Sequence, residues 1–207
     1  MKRIADSTVR RLSVYLRYLE ELTNRGLSTT SSDELAQHSG TTPAQVRKDL
    51  SFFGSFGRRG LGYSVAELAT RIQDILGLGH EWRVVIIGAG KIGSALSTYR
   101  GFKQRGFTVV GVYDKDPLKS GKRWDGHVVR DVETLEADAA ALMPDIAVLA
   151  IPAEGVQGEV DRIVRAGIKA ILNFAPGRLH VPPGVTLKTV NMAMELEGLS
   201  FALTNRD

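Results

Sequence analysis

The 207-residue chain contains no cysteine, which excludes a disulfide framework, a thiolate metal site and a cysteine nucleophile, and fits a reducing compartment. Long apolar runs are missing too. The longest, such as Asp145 to Pro152, have the length of a strand and are too short to cross a bilayer. Met1 to Asp6 lacks the apolar core of a signal peptide. These absences lead to the expectation of a cytoplasmic protein with no membrane partner and no metal. What is present is an ordinary globular composition, 43% hydrophobic and 24% charged, enough for one large or two small domains.

The net charge of +4 is unevenly spread. Residues 1–63 hold ten Lys/Arg against six Asp/Glu, whereas residues 64–207 hold seventeen of each. The whole positive excess therefore lies in the first third, which fits a nucleic-acid partner there or a solvated basic face.

Val9, Leu12, Leu16, Leu19 and Leu22 recur at helical spacing and predict an amphipathic helix ending near Gly26. Ser31-Ser32-Asp33-Glu34 has capping-box spacing and opens a short helix that stops at Gly40. Thr42 then caps a third helix with Pro43 in its first turn, and Gln45 completes a second capping box. On that third helix Val46, Leu50 and Phe53 share one side, while Ala44, Arg47, Lys48 and Ser51 share the other. The pattern is a helix-turn-helix, whose second helix enters a major groove, or a surface helix with two solvated bases. Residues 54–63 place Arg58, Arg59 and Gly60 between glycines and aromatics, as the tip of a β-hairpin wing or a flexible linker. Another amphipathic segment covers 64–79, and Gly77-Leu78-Gly79 closes a first domain of residues 1–78.

Strand and helix alternate from there. The strand Arg83 to Ile87 is followed by Gly88-Ala89-Gly90-Lys91-Ile92-Gly93, a helix running through Ala95, Leu96 and Phe102, and a strand from Thr108 to Tyr113 ending at Asp114. Strand, glycine turn, helix and strand in this order are the dinucleotide-binding fingerprint, with Asp114 as the ribose acid that favours NAD(H) over NADP(H) and Lys115 softening that preference. Gly88 allows the tight turn, Gly90 the approach of a pyrophosphate, and Gly93 close helix packing. Strands at 145–151 and 169–174, with a helix over about 153–166, extend a doubly wound parallel sheet. Its ligand edge would carry Ile151 and Pro152 by the nicotinamide ribose, and Asn173 and Phe174 by the nicotinamide. The Rossmann domain is expected over 79–190. Residues 191–207 form a last helix, with Met192, Leu196, Leu199 and Leu203 at helical spacing, that packs on another subunit or covers its own sheet.

No catalytic constellation accompanies the cofactor fingerprint. The four histidines, His38, His80, His127 and His180, are scattered, and only His180 has the position of a general acid. A small NAD-dependent oxidoreductase is the alternative to a protein that senses its ligand without consuming it.

The run from Gln45 to Gly54, the stretch from Gly57 to Tyr63, the glycine turn at 88–93 and Asn173-Phe174-Ala175-Pro176 together closely resemble the bacterial redox-sensing repressor family Rex. The resemblance spans nearly the whole chain in the right order. It implies a homodimer, each subunit with an N-terminal winged helix and a Rossmann domain, that exchanges its last helices and binds palindromic operators when NADH is scarce. NADH releases the operator and NAD⁺ competes for the same site. It further implies that Arg47, Lys48 and Ser51, flanked by Arg11 and Gln45, meet the major groove and its phosphates, and Arg58, Arg59 and Gly60 the minor groove. Tyr99 and Met192 would border the nicotinamide, and Arg17, Tyr99 and the first residue of the last helix would form the switch. That residue is usually Asp in the family and is Asn191 here, so its contact with Arg17 is expected to be weaker.

Overall fold

The computed structural model describes residues 4–57, 61–124 and 126–205. The chain divides into two compact units, Met1–His80 and Glu81–Asp207. The division falls two residues beyond the expected boundary, and the last helix belongs to the second unit.

In the first unit α1 (Asp6–Asn24), α2 (Ser32–Ser39), α3 (Pro43–Ser51) and α4 (Val65–Leu76) surround one core. Leu12, Leu16, Leu19 and Leu22 of α1 point into it, as the spacing predicts, together with Leu35, Val46, Leu50, Leu68 and Ile72. Each such fully buried side chain contributes about 1.5–3 kcal/mol, so the core rather than helix propensity holds these short helices. The first capping box is complete: Ser31 Oγ accepts from the Glu34 amide, and Glu34 accepts from the Ser31 amide at 2.7 Å. That backbone hydrogen bond, with help from Thr30, lowers the Glu34 carboxyl below its ordinary value.

The second capping box forms only halfway. Thr42 Oγ1 accepts from the Gln45 amide at 3.2 Å, but the Gln45 side chain turns down the helix and donates to Asp49 instead. A charged acceptor makes the stronger hydrogen bond and draws the amide away from the helix start.

The tip of the expected wing lies outside the described residues, which show one pairing beside it. β2 (Tyr63–Ser64) pairs antiparallel with β1 (Thr29–Thr30), and residues 54–57 form no strand. Gly57 lies close to Gly62, since a Cβ on Gly57 would come within 2.7 Å of the Gly62 carbonyl oxygen. Arg58, Arg59 and Gly60 fall outside the described residues.

The second unit is built on a seven-stranded sheet. Its strands are β3 (Trp82–Ile87), β4 (Phe107–Asp114), β5 (Arg123–Trp124), β6 (His127–Asp131), β7 (Ile146–Leu149), β8 (Ala170–Asn173) and β9 (Thr186–Thr189), in the order β5-β6-β4-β3-β7-β8-β9. All neighbours are parallel except the edge pair β5 and β6. β3 therefore lies between β4 and β7, where the chain's winding reverses and a crevice opens at the carboxyl ends of the strands. Side chains alternate across the sheet. Val85, Ile87, Ala147 and Leu149 face a core closed by α7 (Leu135–Leu142) and α8 (Val156–Arg165), while Val84, Ile86 and Val148 face the other side.

That other side is thinly covered. The single helix expected through Phe102 is broken into α5 (Lys91–Ser97) and α6 (Arg100–Gln104), with Tyr99 capping α6 at the break rather than lying inside a helix. Gly101 explains the ring's position, because a Cβ there would lie 2.5 Å from Tyr99 Cε1. Beyond these short helices an apolar groove of about 270 Å³ stays open over Val84, Phe107, Ile146, Val148 and Leu172. α9 (Met192–Thr204) has no buried residue: Met192, Leu196, Leu199, Phe201 and Leu203 are each at least 62% exposed. It does not cover its own sheet.

Candidate functional site

Two surfaces bring the expected residues together, one in each unit. In the first, α2, a turn ending in left-handed Gly40, and α3 form a helix-turn-helix. Arg47, Lys48 and Ser51 are exposed on one side of α3, opposite the buried Val46 and Leu50. The Arg47 guanidinium reaches to Ser32 Oγ at 3.0 Å, and Ser51 Oγ donates to the Lys48 carbonyl at 2.7 Å. Two cations and a hydroxyl on one exposed helix face can bind phosphates and base edges. Arg17 is exposed on α1.

Arg11 and Gln45, expected beside the DNA, are partly exposed and share one intramolecular partner. Both donate to Asp49, a carboxylate on α3 with no exposed surface. Arg11 Nε and Nη2 lie 2.6 and 2.8 Å from its two oxygens, and Tyr15 and Thr8 donate as well. Burial pushes the Asp49 carboxyl up, but hydrogen bonds from Arg11, Gln45 and Tyr15 outweigh it and leave the group below its ordinary value. The same hydrogen bond raises Arg11, and burial together with Asp49 pushes the Tyr15 hydroxyl up to about 12. Asp49 escapes a reading by periodicity because an acid between Lys48 and Leu50 looks like part of the solvated face. The detectable signal is Arg11 and Tyr15 at i and i+4 on the buried side of α1.

In the second unit, a cavity of about 370 Å³ opens at the carboxyl ends of β3, β4 and β7. Gly88, Gly90, Asp114, Lys115, Ile151 and Pro152 all line it. At Gly88, φ is 105° and a Cβ would collide with the Ala150 carbonyl, so only glycine fits. At Gly93 a Cβ would overlap the Gly88 carbonyl, whereas Gly90 has open space around it. Ala89 is buried below the turn, and Lys91 and Ile92 are exposed on α5. Asp114 is 7% exposed, and its Oδ2 accepts from the Ala89 amide at 2.7 Å and from Lys119 Nζ at 2.8 Å. Its Oδ1 accepts from the Asp116 amide at 2.9 Å. Burial raises the Asp114 carboxyl, and Lys119 with the two amides more than reverses the effect, so the group stays ionised well into acid.

Lys119, Asp116, Glu154 and Glu159 also line the cavity and were not singled out in the sequence. Lys119 becomes legible only once the turn that follows Asp116 is seen to fold it back onto Asp114. Asn173, Phe174, Tyr99 and Met192 lie outside this lining. Asn173 is fully buried: its Oδ1 accepts from the Ala175 amide and its Nδ2 donates to the Ala175 carbonyl, both at 2.9 Å. It shapes the strand end rather than presenting its own side chain. Asn191 caps α9, its Oδ1 accepting from the Ala193 amide at 3.0 Å. Among the described residues no group of three or more His, Asp or Glu could hold a metal ion, and no helix is long and apolar enough to cross a membrane.

Known proteins resemble both units. Residues 3–51 match the family described as "Putative DNA-binding protein N-terminus", and residues 80–177 the family described as "CoA binding domain". The redox-sensing transcriptional repressor Rex of Carboxydothermus hydrogenoformans is 47% identical over 199 residues, 96% of each chain. That of Desulfitobacterium hafniense is 44% identical over 204 residues, 99% of this chain and 97% of its own. Among solved structures, RSP in complex with β-NAD⁺ and operator DNA superposes with a TM-score of 0.92 at 41% identity, over 98% of this chain and 94% of that one. RSP with β-NADH superposes at 0.89 and 40% identity, over 98% and 95%. A helix-turn-helix and a dinucleotide cavity in one chain, with full-length identity of this order, lead to one conclusion: the chain belongs to the Rex family of redox-sensing transcriptional repressors.

Proposed function

We infer that the protein is a DNA-binding transcriptional repressor that senses the NADH/NAD⁺ ratio, holding palindromic operators when NADH is low and releasing them when NADH binds. The observation that carries this reading is the pairing, in one chain, of an exposed basic face on α3 with a cavity built around Gly88 and Asp114. Arg47, Lys48 and Ser51 read the major groove, and Arg58, Arg59 and Gly60 reach the minor groove from the wing. Two such modules one helical turn apart match a palindrome.

NADH lies along the cavity. Its pyrophosphate approaches the backbone at Gly90, with the amides of Lys91 and Ile92 at the start of α5 facing the charge. The adenosine ribose hydroxyls displace Lys119 at Asp114, and the nicotinamide ribose passes Ile151 and Pro152. The nicotinamide ring is bordered by Tyr99, by the strand end that Asn173 shapes at Phe174, and by the partner subunit's Met192. A neutral reduced ring enters such an apolar pocket more readily than the cationic oxidised ring, which must shed its hydration. The ligand is sensed and not turned over, a reading supported by relatives that are named as transcriptional repressors.

Two complementary deficits support a dimer. α9 has apolar side chains and nothing in its own chain to bury them, and the sheet face around Val148 and Leu172 has a groove with nothing in it. Filling the groove with α9 from a second copy satisfies both. NADH then weakens DNA binding by binding one arrangement of the dimer better than the other, and DNA weakens NADH binding by the same factor, about 1–3 kcal/mol.

Fluorescence anisotropy of a labelled palindromic duplex, titrated with protein and then with NADH or NAD⁺ at fixed salt, tests the reading. Binding that NADH reverses and NAD⁺ leaves intact is the expected result. Replacing Arg47 and Lys48 by Ala should abolish specific binding, lower the salt slope by about 2 and leave NADH affinity unchanged. Steady turnover of a substrate without salt-sensitive DNA binding would favour the oxidoreductase.

A further inference from the structure

The geometry points to Asp49 as the residue that positions α3 for sequence reading, with Arg11, Tyr15, Thr8 and Gln45 as its holders rather than as DNA contacts. The inference rests on the reading of α3 as the recognition helix. Asp49 follows directly after Arg47 and Lys48, yet its side chain is wholly buried and faces α1. Five donor atoms converge on its two oxygens: Thr8 Oγ1 at 3.3 Å, Arg11 Nε at 2.6 Å, Arg11 Nη2 at 2.8 Å, Tyr15 Oη at 3.0 Å and Gln45 Nε2 at 2.8 Å. Thr8, Arg11 and Tyr15 are three and four residues apart, a single stripe along α1.

Backbone packing does not do this work. α3 lies mainly against α2, so its tie to α1 runs through these side chains. Val46 and Leu50 set which face of α3 is buried but define its rotation only coarsely, because apolar contacts are non-directional and tolerate small rolls. Hydrogen bonds to a fixed carboxylate define it finely: even a small roll of α3 would pull the Arg11 fork out of line and weaken the pairing of a buried charge. The rotation of α3 decides whether Arg47, Lys48 and Ser51 meet base edges or only phosphates. A non-specific complex tolerates error there, and a specific complex does not.

The test compares affinity for a palindromic operator-type duplex and for a scrambled duplex of equal length, across a salt series, in the full-length protein. Arg11→Lys keeps the charge but loses the two-pronged geometry, and Asp49→Asn keeps the shape but loses the charge. Both should weaken palindrome binding by about 10-fold or more, leaving scrambled-duplex affinity and NADH affinity within about 2-fold. Tyr15→Phe retains the ion pair and should shift in the same direction by less, and it carries the test if Asp49→Asn fails to fold. The inference is overturned if Tyr15→Phe and Arg11→Lys bind the palindrome like the parent. It is also overturned if Asp49→Asn binds both duplexes more tightly with a steeper salt slope, since the carboxylate would then only offset the Arg11 charge. Arg11→Ala losing both duplexes equally would return Arg11 to the phosphates. A parent protein that does not prefer the palindrome sinks the repressor reading itself, an outcome distinct from each of these.

Discussion

Replacing Gly90 by alanine separates what the glycine turn does for the fold from what it does for the ligand. Gly90 sits at φ −95° and ψ −171°, extended backbone that any residue adopts, and a Cβ there meets nothing within 4 Å. Alanine should therefore fold at least as well as glycine, gaining about 0.4–1 kcal/mol from a stiffer unfolded chain, or roughly 1–3 °C in Tm for a protein of this size. A pyrophosphate against that backbone occupies the space the methyl group would take. Losing one charge-assisted hydrogen bond there costs about 1.5–3 kcal/mol, so NADH should bind some 10- to 150-fold more weakly. Gly93→Ala makes the opposite pair of changes. Its Cβ would overlap the Gly88 carbonyl oxygen, which should lower stability by about 1–3 kcal/mol or more before any ligand is added. The assay is an NADH fluorescence titration beside thermal unfolding with and without 1 mM NADH, where the parent's Tm rises by mass action and that of Gly90→Ala rises less. Parent-like NADH affinity in a well-folded Gly90→Ala would falsify the placement of the pyrophosphate at this turn.

Further expectations concern assembly, the switch and acid. Leu196→Asp combined with Leu199→Asp should convert a dimer into a monomer in sedimentation velocity, and a parent already monomeric at micromolar concentration would refute the helix exchange. Asn191→Asp restores the carboxylate that the family resemblance associates with Arg17. Aspartate caps a helix as well as asparagine does, so α9 should be kept while operator affinity without ligand rises about 5-fold, the worth of a modest ion pair. An unchanged affinity would mean that position 191 is only a cap. Asp49 and Asp114 are both held below their ordinary values, so the stability they supply is complete above the ordinary carboxylate value, about 3.9, and disappears as pH falls through their lowered values. Denaturant midpoints should be level from pH 7 to about 5 and fall below about 4, and a decline starting near pH 6 would contradict this assignment.

Most of the framework could be read from residue order because the governing interactions are local. The complete capping box at Ser31, the left-handed stop at Gly40, Pro43 at the start of α3 and the close turn at Gly88 depend on a few neighbouring atoms. Interactions between distant residues could not be read this way. The partner of Tyr63 is a two-residue strand more than thirty positions earlier, a pairing that no local pattern around the Arg58-Arg59 stretch announces. The β5–β6 edge, α7 and β9 have short or weakly amphipathic patterns and gain their form from the sheet they join. The run through Phe102 reads as one helix because no proline interrupts it, and the break at Tyr99 becomes clear only when its ring is seen to lie over Gly101. In the cavity, glycines and Asp114 announce themselves by spacing, while Lys119 reaches Asp114 through a turn whose path no periodicity encodes.

α9 carries a consequence for the protein in a cell. In the proposed dimer, a helix that buries nothing within its own chain adds nothing to that chain's stability until a second copy arrives, so its contribution grows with the logarithm of protein concentration. A scarce repressor would spend more of its life as separate chains, each displaying apolar surface to chaperones and proteases. A mutant copy with an intact α9 but a ruined α3 would still pair with normal chains. Such an allele would be dominant, silencing normal subunits by occupying their partner.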